Sequence, residues 1–204
     1  MITGISRFVP REYIIVVDDG STDNTGQLAL KAKAVVLHHK ENRGKGAALQ
    51  TGFRYIIENQ YRGVIVLDAD GQHDERFIPA FLRRAERDAD MVIGSRMDQV
   101  GKMPWIRVVT NRFTSACISA LARQKIPDSQ SGYRYIGVEV LKALRLRTSR
   151  YDTESEMLIQ AGRKGYRIDS LPISSIYGQE KSSIRPMMDT LRFVFLVARS
   201  CFSL

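Results

Sequence analysis

Two acidic residues separated by one position, Asp68 and Asp70, follow the apolar run VIVL and precede Gly71, Gln72 and His73. In an extended segment alternate side chains point the same way, so both carboxylates can reach one hard divalent cation, with Gln72 or His73 close behind. Such a cation keeps several waters and completes its shell with substrate phosphates. The same residues, DADG, also make a tight turn that needs no ligand. A second acidic pair, Asp18-Asp19, ends another apolar run and leads into GSTDNT. There Gly20 suits a tight turn, Asp23 or Asn24 suits a helix cap, and Ser21 and Thr22 are either turn residues or ligands. The stretch NRGKGA, residues 42–47, is glycine-rich and opens a helix, so its backbone N–H groups could face a phosphate. It fits neither the P-loop nor the dinucleotide fingerprint, because no Gly-Lys-Ser/Thr and no third glycine follows. His38, His39 and His73 lack the mutual spacing of a zinc site and read as satisfied surface or turn residues.

Both acidic pairs need strands that deliver them to one edge of a sheet. The runs YIIVVD (13–18), AVVLH (34–38), GVIVLD (63–68) and DMVIG (90–94) are near-continuous apolar strands of the kind buried on both faces. Helices are expected between them at 24–33, 45–59 and 75–87. In the second helix Ala48, Leu49, Phe53, Ile56 and Ile57 recur at three- and four-residue steps. This alternation gives an α/β fold, a parallel sheet with right-handed crossovers, whose ligands gather at the carboxyl ends of the strands. The second half departs from that rhythm. A helix is expected over 105–123, then the turn IPDSQSGYR, a short strand at 133–136, a helix at 153–163, a strand at 166–176 and an apolar helix from Pro186. Arg185, Arg192 and Arg199 fall at seven-residue steps and form one basic stripe, with Leu191, Val194, Phe195 and Ala198 on another face. Residues 186–204 can therefore lie in a lipid interface with the arginines toward anionic headgroups, or dock on the domain.

The chain has 204 residues, 44% hydrophobic and 26% charged, which is the size of one α/β domain and excludes a disordered or fibrous protein. No run of about 18 apolar residues is present, and no basic region followed by an apolar core opens the chain, so neither a spanning helix nor a secretory signal is expected. Cys117 and Cys201 lie in apolar helical contexts and read as reduced thiols of a cytosolic protein. Residues 1–100 carry 14 Lys/Arg and 14 Asp/Glu, whereas 101–204 carry 17 and 8, so the whole net charge of +9 lies in the second half. Such a field suits nucleic acid, an anionic membrane or a phosphorylated substrate, and is equally an ordinary basic surface.

The ordered tracts IIVVDDGSTDNT, ENRGKGAALQTGF, VIVLDADGQHD, MVIGSR, IPDSQSGYR and ESEMLIQAGRKGYRI resemble the family 2 inverting glycosyltransferases of GT-A fold. They most resemble the branch that transfers mannose or glucose to polyprenyl (dolichyl) phosphate. The resemblance covers about residues 11–185 and implies a GT-A domain over 1–185, with a mostly parallel sheet flanked by helices. It implies that Asp18 and Asp19 contact the base and ribose of a nucleotide-sugar, GDP-mannose or UDP-glucose in type, and that Ser21, Lys45 and Asp68 join them. Asp68, Asp70 and Gln72 would hold Mg²⁺ or Mn²⁺. Arg96 and Arg107, with Asp70, would form the catalytic set. Arg107, Asn111, Arg112, Ser131, Arg134 and Glu156 would meet a polyprenyl-phosphate acceptor. The implied partners are that donor, that acceptor and an anionic membrane surface, with no nucleic acid. The implied place is cytoplasmic, peripheral on the inner face of the cell membrane.

The chemistry is consistent with those roles. Negative charge builds on a departing diphosphate and is offset by a divalent ion acting as Lewis acid. A lipid phosphate is already ionised and needs no general base; it needs guanidinium groups that bind two oxygens at once. A sugar hydroxyl would instead need a carboxylate base, for which Glu154 and Glu156 are the candidates. Two departures from the family stand out. Only twelve residues precede Tyr13 and they lack the usual opening strand and its Pro-Ala-Tyr-Asn-Glu-like motif. That loss predicts a gap between the DDGS and DAD strands unless residues 2–9 fill it, or a truncated start. In IYGQEKSSI, Tyr177 stands where relatives carry an arginine, leaving Lys181 or Arg185 to supply that contact. Competing readings are a phosphatase with Asp68 as nucleophile, argued against by Gly71-Gln72-His73, and a degenerate nucleotide-sugar or membrane-binding module.

Overall fold

Each apolar run of the first half becomes a short strand, and each amphipathic segment a helix laid on it. The structure, a computed structural model, describes residues 1–87, 89–97, 104–150 and 152–174, together with 195, 197, 198 and 200. The strands are β1 (Ile15–Asp18), β2 (Val35–His38), β3 (Gly63–Val66), β4 (Met91–Ser95), β5 (Arg134–Gly137) and β6 (Ile168–Pro172). The helices are α1 (Ile2–Ile5), α2 (Thr25–Lys31), α3 (Lys45–Glu58), α4 (Ile78–Ala85), α5 (Trp105–Ala122), α6 (Val138–Ala143) and α7 (Asp152–Arg163). The helix expected over 75–87 is split. Glu75–Phe77 forms a 3-10 turn, and Pro79, in the first turn of α4, presets the start of a new helix. The strand expected over 166–176 spans only β6. α1 and α6 are additions to the expected order. The helix expected from Pro186, with Arg185, Arg192 and Arg199, lies outside the described residues except at four helical positions.

β1 and β2 pair in parallel, and β3, β5, β4 and β6 form a four-stranded sheet in that order. β5 is antiparallel to both of its neighbours, and β4 is parallel to β6, so β3, β4 and β6 share a direction and β5 alone is reversed. The mostly parallel α/β architecture is the one expected. β1 and β3 do not pair with each other, and among the described residues no strand stands between them. Residues 2–9 do not fill that gap. Ile2–Ile5 is a helical turn, and Ile5 packs instead with Ile78, Phe81 and Ile173 below the sheet.

Two apolar clusters sandwich the strands. On one face Phe53 and Ile56 of α3, Ile118 and Ala122 of α5, and Met157 and Leu158 of α7 meet Met91 and Ile93 of β4 and Ile136 of β5. On the other, Ile5, Ile78 and Phe81 meet Val92 and Tyr133. Met91, Ile93 and Val92 alternate between the faces with the period of a strand. β4 is buried throughout, whereas β1, β2 and β3 are mostly half-buried. Burial on both faces was expected of all four; only the strand with neighbours on both sides achieves it along its whole length. α5 and α7 cross at Gly162, where an added Cβ would collide with the Ala122 carbonyl. Gly162→Ala is expected to force the helices apart at about 1–3 kcal/mol, offset by up to about 1 kcal/mol of helix propensity, and to lower the urea midpoint.

Candidate active site

Asp18 and Asp19 lie at the carboxyl end of β1. Asp18 Oδ1 accepts the Ser21 N–H at 2.9 Å and Oδ2 lies 3.1 Å from Nδ1 of His38. Its carboxyl is held below the usual value mainly by the hydrogen bonds from Ser21. Asp19 accepts the N–H groups of Arg43 and Gly44 at 2.9 and 2.7 Å and lies 2.6 Å from Nδ1 of His39, whose Nε2 meets Thr51 Oγ1. Burial disfavours the Asp19 charge, but those amides and His39 outweigh it and keep the carboxyl low. Asp19 thus fastens the GKG turn to β1, and two histidines that the sequence left as bystanders, His38 and His39, hold the two carboxylates. Gly44 takes φ of 95° at the start of α3, a backbone that favours glycine. Part of the glycine-rich start of α3 is engaged within the fold. Ala47 N–H donates to the Ser149 carbonyl, and a Cβ at Gly46 would strike Ser149 and Thr153. Asp23, rather than Asn24, accepts the Thr25 N–H at the start of α2.

Lys45, the first residue of α3, reaches across the cleft. Its Nζ lies 2.6 Å from Asp68 Oδ1 and 3.2 Å from Glu154 Oε1. Burial disfavours both charges, yet Lys45 is raised by Glu154 and Asp68, and Asp68 is lowered by Lys45. The turn after β3 is built by its own polar atoms: the Asp68 N–H donates to Nδ1 of His73 at 3.0 Å, and the Gln72 N–H to Asp70 Oδ1 at 2.9 Å. His73 is buried and stacked on Tyr133, and burial pushes its pKa down, so it is a neutral acceptor that shapes this turn. Gly132 is needed beneath it, since a Cβ would lie 2.5 Å from Asp68 Oδ2.

A third group lies at the end of β4. Asp128, fully buried, receives Nε and Nη2 of Arg96 at 2.8 and 2.9 Å and Nδ2 of Asn111 at 2.7 Å. Burial opposes its charge, but Arg96 above all holds the carboxyl below the usual range. Ser115 Oγ bonds Asn111 Oδ1 and Ser129 Oγ, so α5 is pinned to the 128–131 turn. Arg107 is exposed one helical turn before Asn111, and Arg112, about 100° further round the helix from Asn111, is exposed near Val109. Arg134 is fully buried and donates to the carbonyls of Ser131, Glu154 and Ser129, which occupies it inside the fold. Glu156 is likewise occupied, accepting from Arg147 N–H, Thr148 N–H and Oγ1, and Gln160. Ser131 Oγ is buried without a partner. The residues brought together are thus Asp68, Lys45 and Glu154, with Arg96, Asp128 and Asn111 as a second group. The Glu154 link to Lys45 and the Asp128 partner of Arg96 were missed in the sequence; an arginine after a buried strand demands a carboxylate, and the turn IPDSQ offered one.

Among the described residues no three His, Cys, Asp or Glu side chains converge as a metal cage. Two carboxylates and an amide within one five-residue turn are instead an all-oxygen, partial donor set, which fits Mg²⁺ or Mn²⁺ that retain waters and take substrate oxygens.

The sequence profile described as Glycosyl transferase family 2 matches residues 7–145. The chain is 33% identical over 189 residues to the undecaprenyl-phosphate mannosyltransferase of Micrococcus luteus, covering 86% of this chain and 77% of that protein. It is 33% identical over 189 residues to the UDP-N-acetylglucosamine–dolichyl-phosphate N-acetylglucosaminyltransferase of Methanococcus voltae, covering 81% and 75%. Among solved structures, glucosyl-3-phosphoglycerate synthase from Mycobacterium tuberculosis, in complex with Mn²⁺, UDP and phosphoglyceric acid, superposes with a TM-score of 0.73 at 21% identity, covering 99% and 71%. That likeness is one of fold.

Proposed function

Since the chain belongs to glycosyl transferase family 2 and is a glycosyltransferase of GT-A fold, we propose that it transfers a hexose, with inversion, from a nucleotide-sugar to polyprenyl phosphate. The observation that carries the acceptor is the build of α5. Its buried side holds Asn111, Ser115, Ile118 and Ala122, and its outward side exposes Trp105, Ile106, Val109 and Phe113. Arg107 stands at the edge between the two, beside the group that orients Arg96. An acceptor with an anionic head and a long apolar tail matches a guanidinium next to an apolar face. A sugar hydroxyl matches it less well, and Glu154, the candidate base, is engaged by Lys45.

In this reading Asp68, Asp70 and Gln72 would hold Mg²⁺ or Mn²⁺, which would supply Lewis-acid stabilisation of the departing diphosphate. Lys45 adds a positive charge at the same edge, and its position between Asp68 and Glu154 sets where the donor's phosphates can lie. Asp18, Asp19 and Ser21 form the nucleotide end of the cleft. Arg96, aimed by Asp128, and Arg107 draw the ionised acceptor phosphate to the sugar carbon without a proton transfer. Asn111, Ser131, Arg134 and Glu156 shape the acceptor side from within the fold, and Arg112 faces the membrane. Transfer of labelled sugar to polyprenyl phosphate tests the proposal. Arg107→Ala should lower transfer about 10- to 100-fold while nucleotide-sugar binding is unchanged, as expected for loss of a charge-assisted hydrogen bond. Equal transfer by mutant and parent would remove Arg107 from the acceptor site.

No helix among the described residues is long and apolar enough to cross a membrane. We assign contact with an anionic membrane surface, cytoplasmic and peripheral, to the outward side of α5 together with residues 186–204. The protein should float with vesicles containing anionic lipid, less so as salt rises, because surface attraction is screened within about 10 Å at 0.1 M. Trp105→Ser with Phe113→Ser should reduce flotation at all salt concentrations, since both side chains are largely exposed and their loss need not disturb the core.

A further inference from the structure

We infer that His73 reads the sugar: its Nε2–H donates to a hydroxyl oxygen of the hexose carried by the nucleotide. The inference rests on the transferase reading above and gives that site a residue that tells a nucleotide-sugar from the free nucleotide.

Geometry alone assigns the proton. The Asp68 N–H can only donate, so Nδ1 of His73, 3.0 Å away, must accept, and the hydrogen of the neutral ring therefore lies on Nε2. The ring is also held in place. It stacks on Tyr133 with centroids 5.0 Å apart, Tyr133 packs in turn on Phe81 at 4.4 Å, and only 6% of His73 is exposed. Nε2 has no hydrogen-bond partner among the described residues. The fully buried side-chain atoms without a partner there are Ser131 Oγ and Asp152 Oδ1, so Nε2 is not sealed in the core and can be reached from outside. A donor so nearly buried and unmatched is costly unless a ligand accepts from it.

The surroundings say which ligand. The charges that act on this ring are chiefly those of Asp68, Asp70, Lys45 and Arg96. In the proposed reaction the first three border the departing diphosphate, and Arg96 meets the acceptor phosphate. The carbon that changes partners must lie between leaving group and nucleophile, so its hexose lies beside His73. Phosphate oxygens are best met by cations, which Lys45 and Arg96 supply, whereas a neutral N–H suits a neutral hydroxyl. A site built to bond one hydroxyl discriminates well, because an analogue without it leaves the donor unpaired.

Two substitutions separate the ring nitrogens. His73→Asn keeps an acceptor near Nδ1 for the Asp68 N–H and lacks the Nε2 donor. His73→Gln keeps an N–H near Nε2 and gives up the Asp68 contact. Calorimetric titration with Mn²⁺ at neutral pH compares UDP-glucose with UDP and GDP-mannose with GDP. For the nucleotide-sugar that the parent binds more tightly, His73→Asn should weaken binding about tenfold, the scale of one lost hydrogen bond, and leave the free nucleotide as in the parent. His73→Gln should keep the parent's ratio between the two. An equal fall for both ligands in His73→Asn would assign the ring to the turn or to the phosphates, and no change in either would remove it from the site; each result overturns the inference alone. If His73→Asn shows no cooperative thermal melt, His73→Gln decides, and loss of the parent's ratio overturns the inference. Absence of nucleotide binding by the parent would instead remove the transferase reading and this inference with it.

Discussion

Asp70→Ala is expected to abolish Mn²⁺-dependent binding of a nucleotide-sugar and to lower transfer by about 10²-fold or more, with little loss of stability. Asp70 is exposed, and its one described contact is the Gln72 N–H. Its removal therefore takes no support from the core, and the loss falls on stabilisation of the leaving diphosphate, where one well-placed electrostatic contact is worth about 3–4 kcal/mol. Calorimetric titration of UDP- and GDP-sugars with and without Mn²⁺ measures the binding arm. Undiminished binding in the variant would displace the DxD turn from the donor site. Asp68→Ala is a poorer probe, because it also removes the 2.6 Å ion pair that Asp68 makes with Lys45.

The second large effect is on stability. Asp128→Ala leaves a guanidinium and a buried amide facing an empty acceptor, and breaking such a buried pair costs about 3–5 kcal/mol. Arg96 is 22% exposed in its side chain and regains some water, which places the expected cost toward the lower end. The effect carries a pH signature. The Asp128 carboxyl is held below its ordinary value in the fold, so its contribution is complete above about pH 4 and is lost as pH falls through the native pKa. Asp128→Asn should therefore show its largest deficit in denaturation free energy near neutral pH and approach the parent below about pH 4. A deficit that is the same at every pH would mean that shape, not charge, makes the contact.

Local pattern made the strands and the helices α2, α3, α5 and α7 legible to within a few residues, because the two periodicities and their caps act over a single turn or pleat. The acidic pairs were legible as strand-end residues for the same reason. Their partners were not. His39 reaches Asp19, and Asp128 reaches Arg96, only once crossovers bring separate segments together, and no spacing along the chain encodes those meetings. Arg134 shows the converse: its motif suggested a ligand contact, yet the fold spends its guanidinium on three backbone carbonyls. α6 escaped notice because six residues directly after a strand leave too short a pattern to read.

Lys45 has a bearing on how the protein is assembled. Its ammonium draws together a carboxylate from the first half of the chain and one near position 154, and Gln50 on the same helix reaches Thr148, 98 residues away. Closures that distant come late in folding, since the loop entropy must be lost before the contact forms. A chain still emerging from the ribosome, with α7 unmade, would hold Asp68 and Lys45 without Glu154. Substrate recognition would then be acquired in the final stage of synthesis, when α7 docks, and would be among the first properties surrendered if that helix frays.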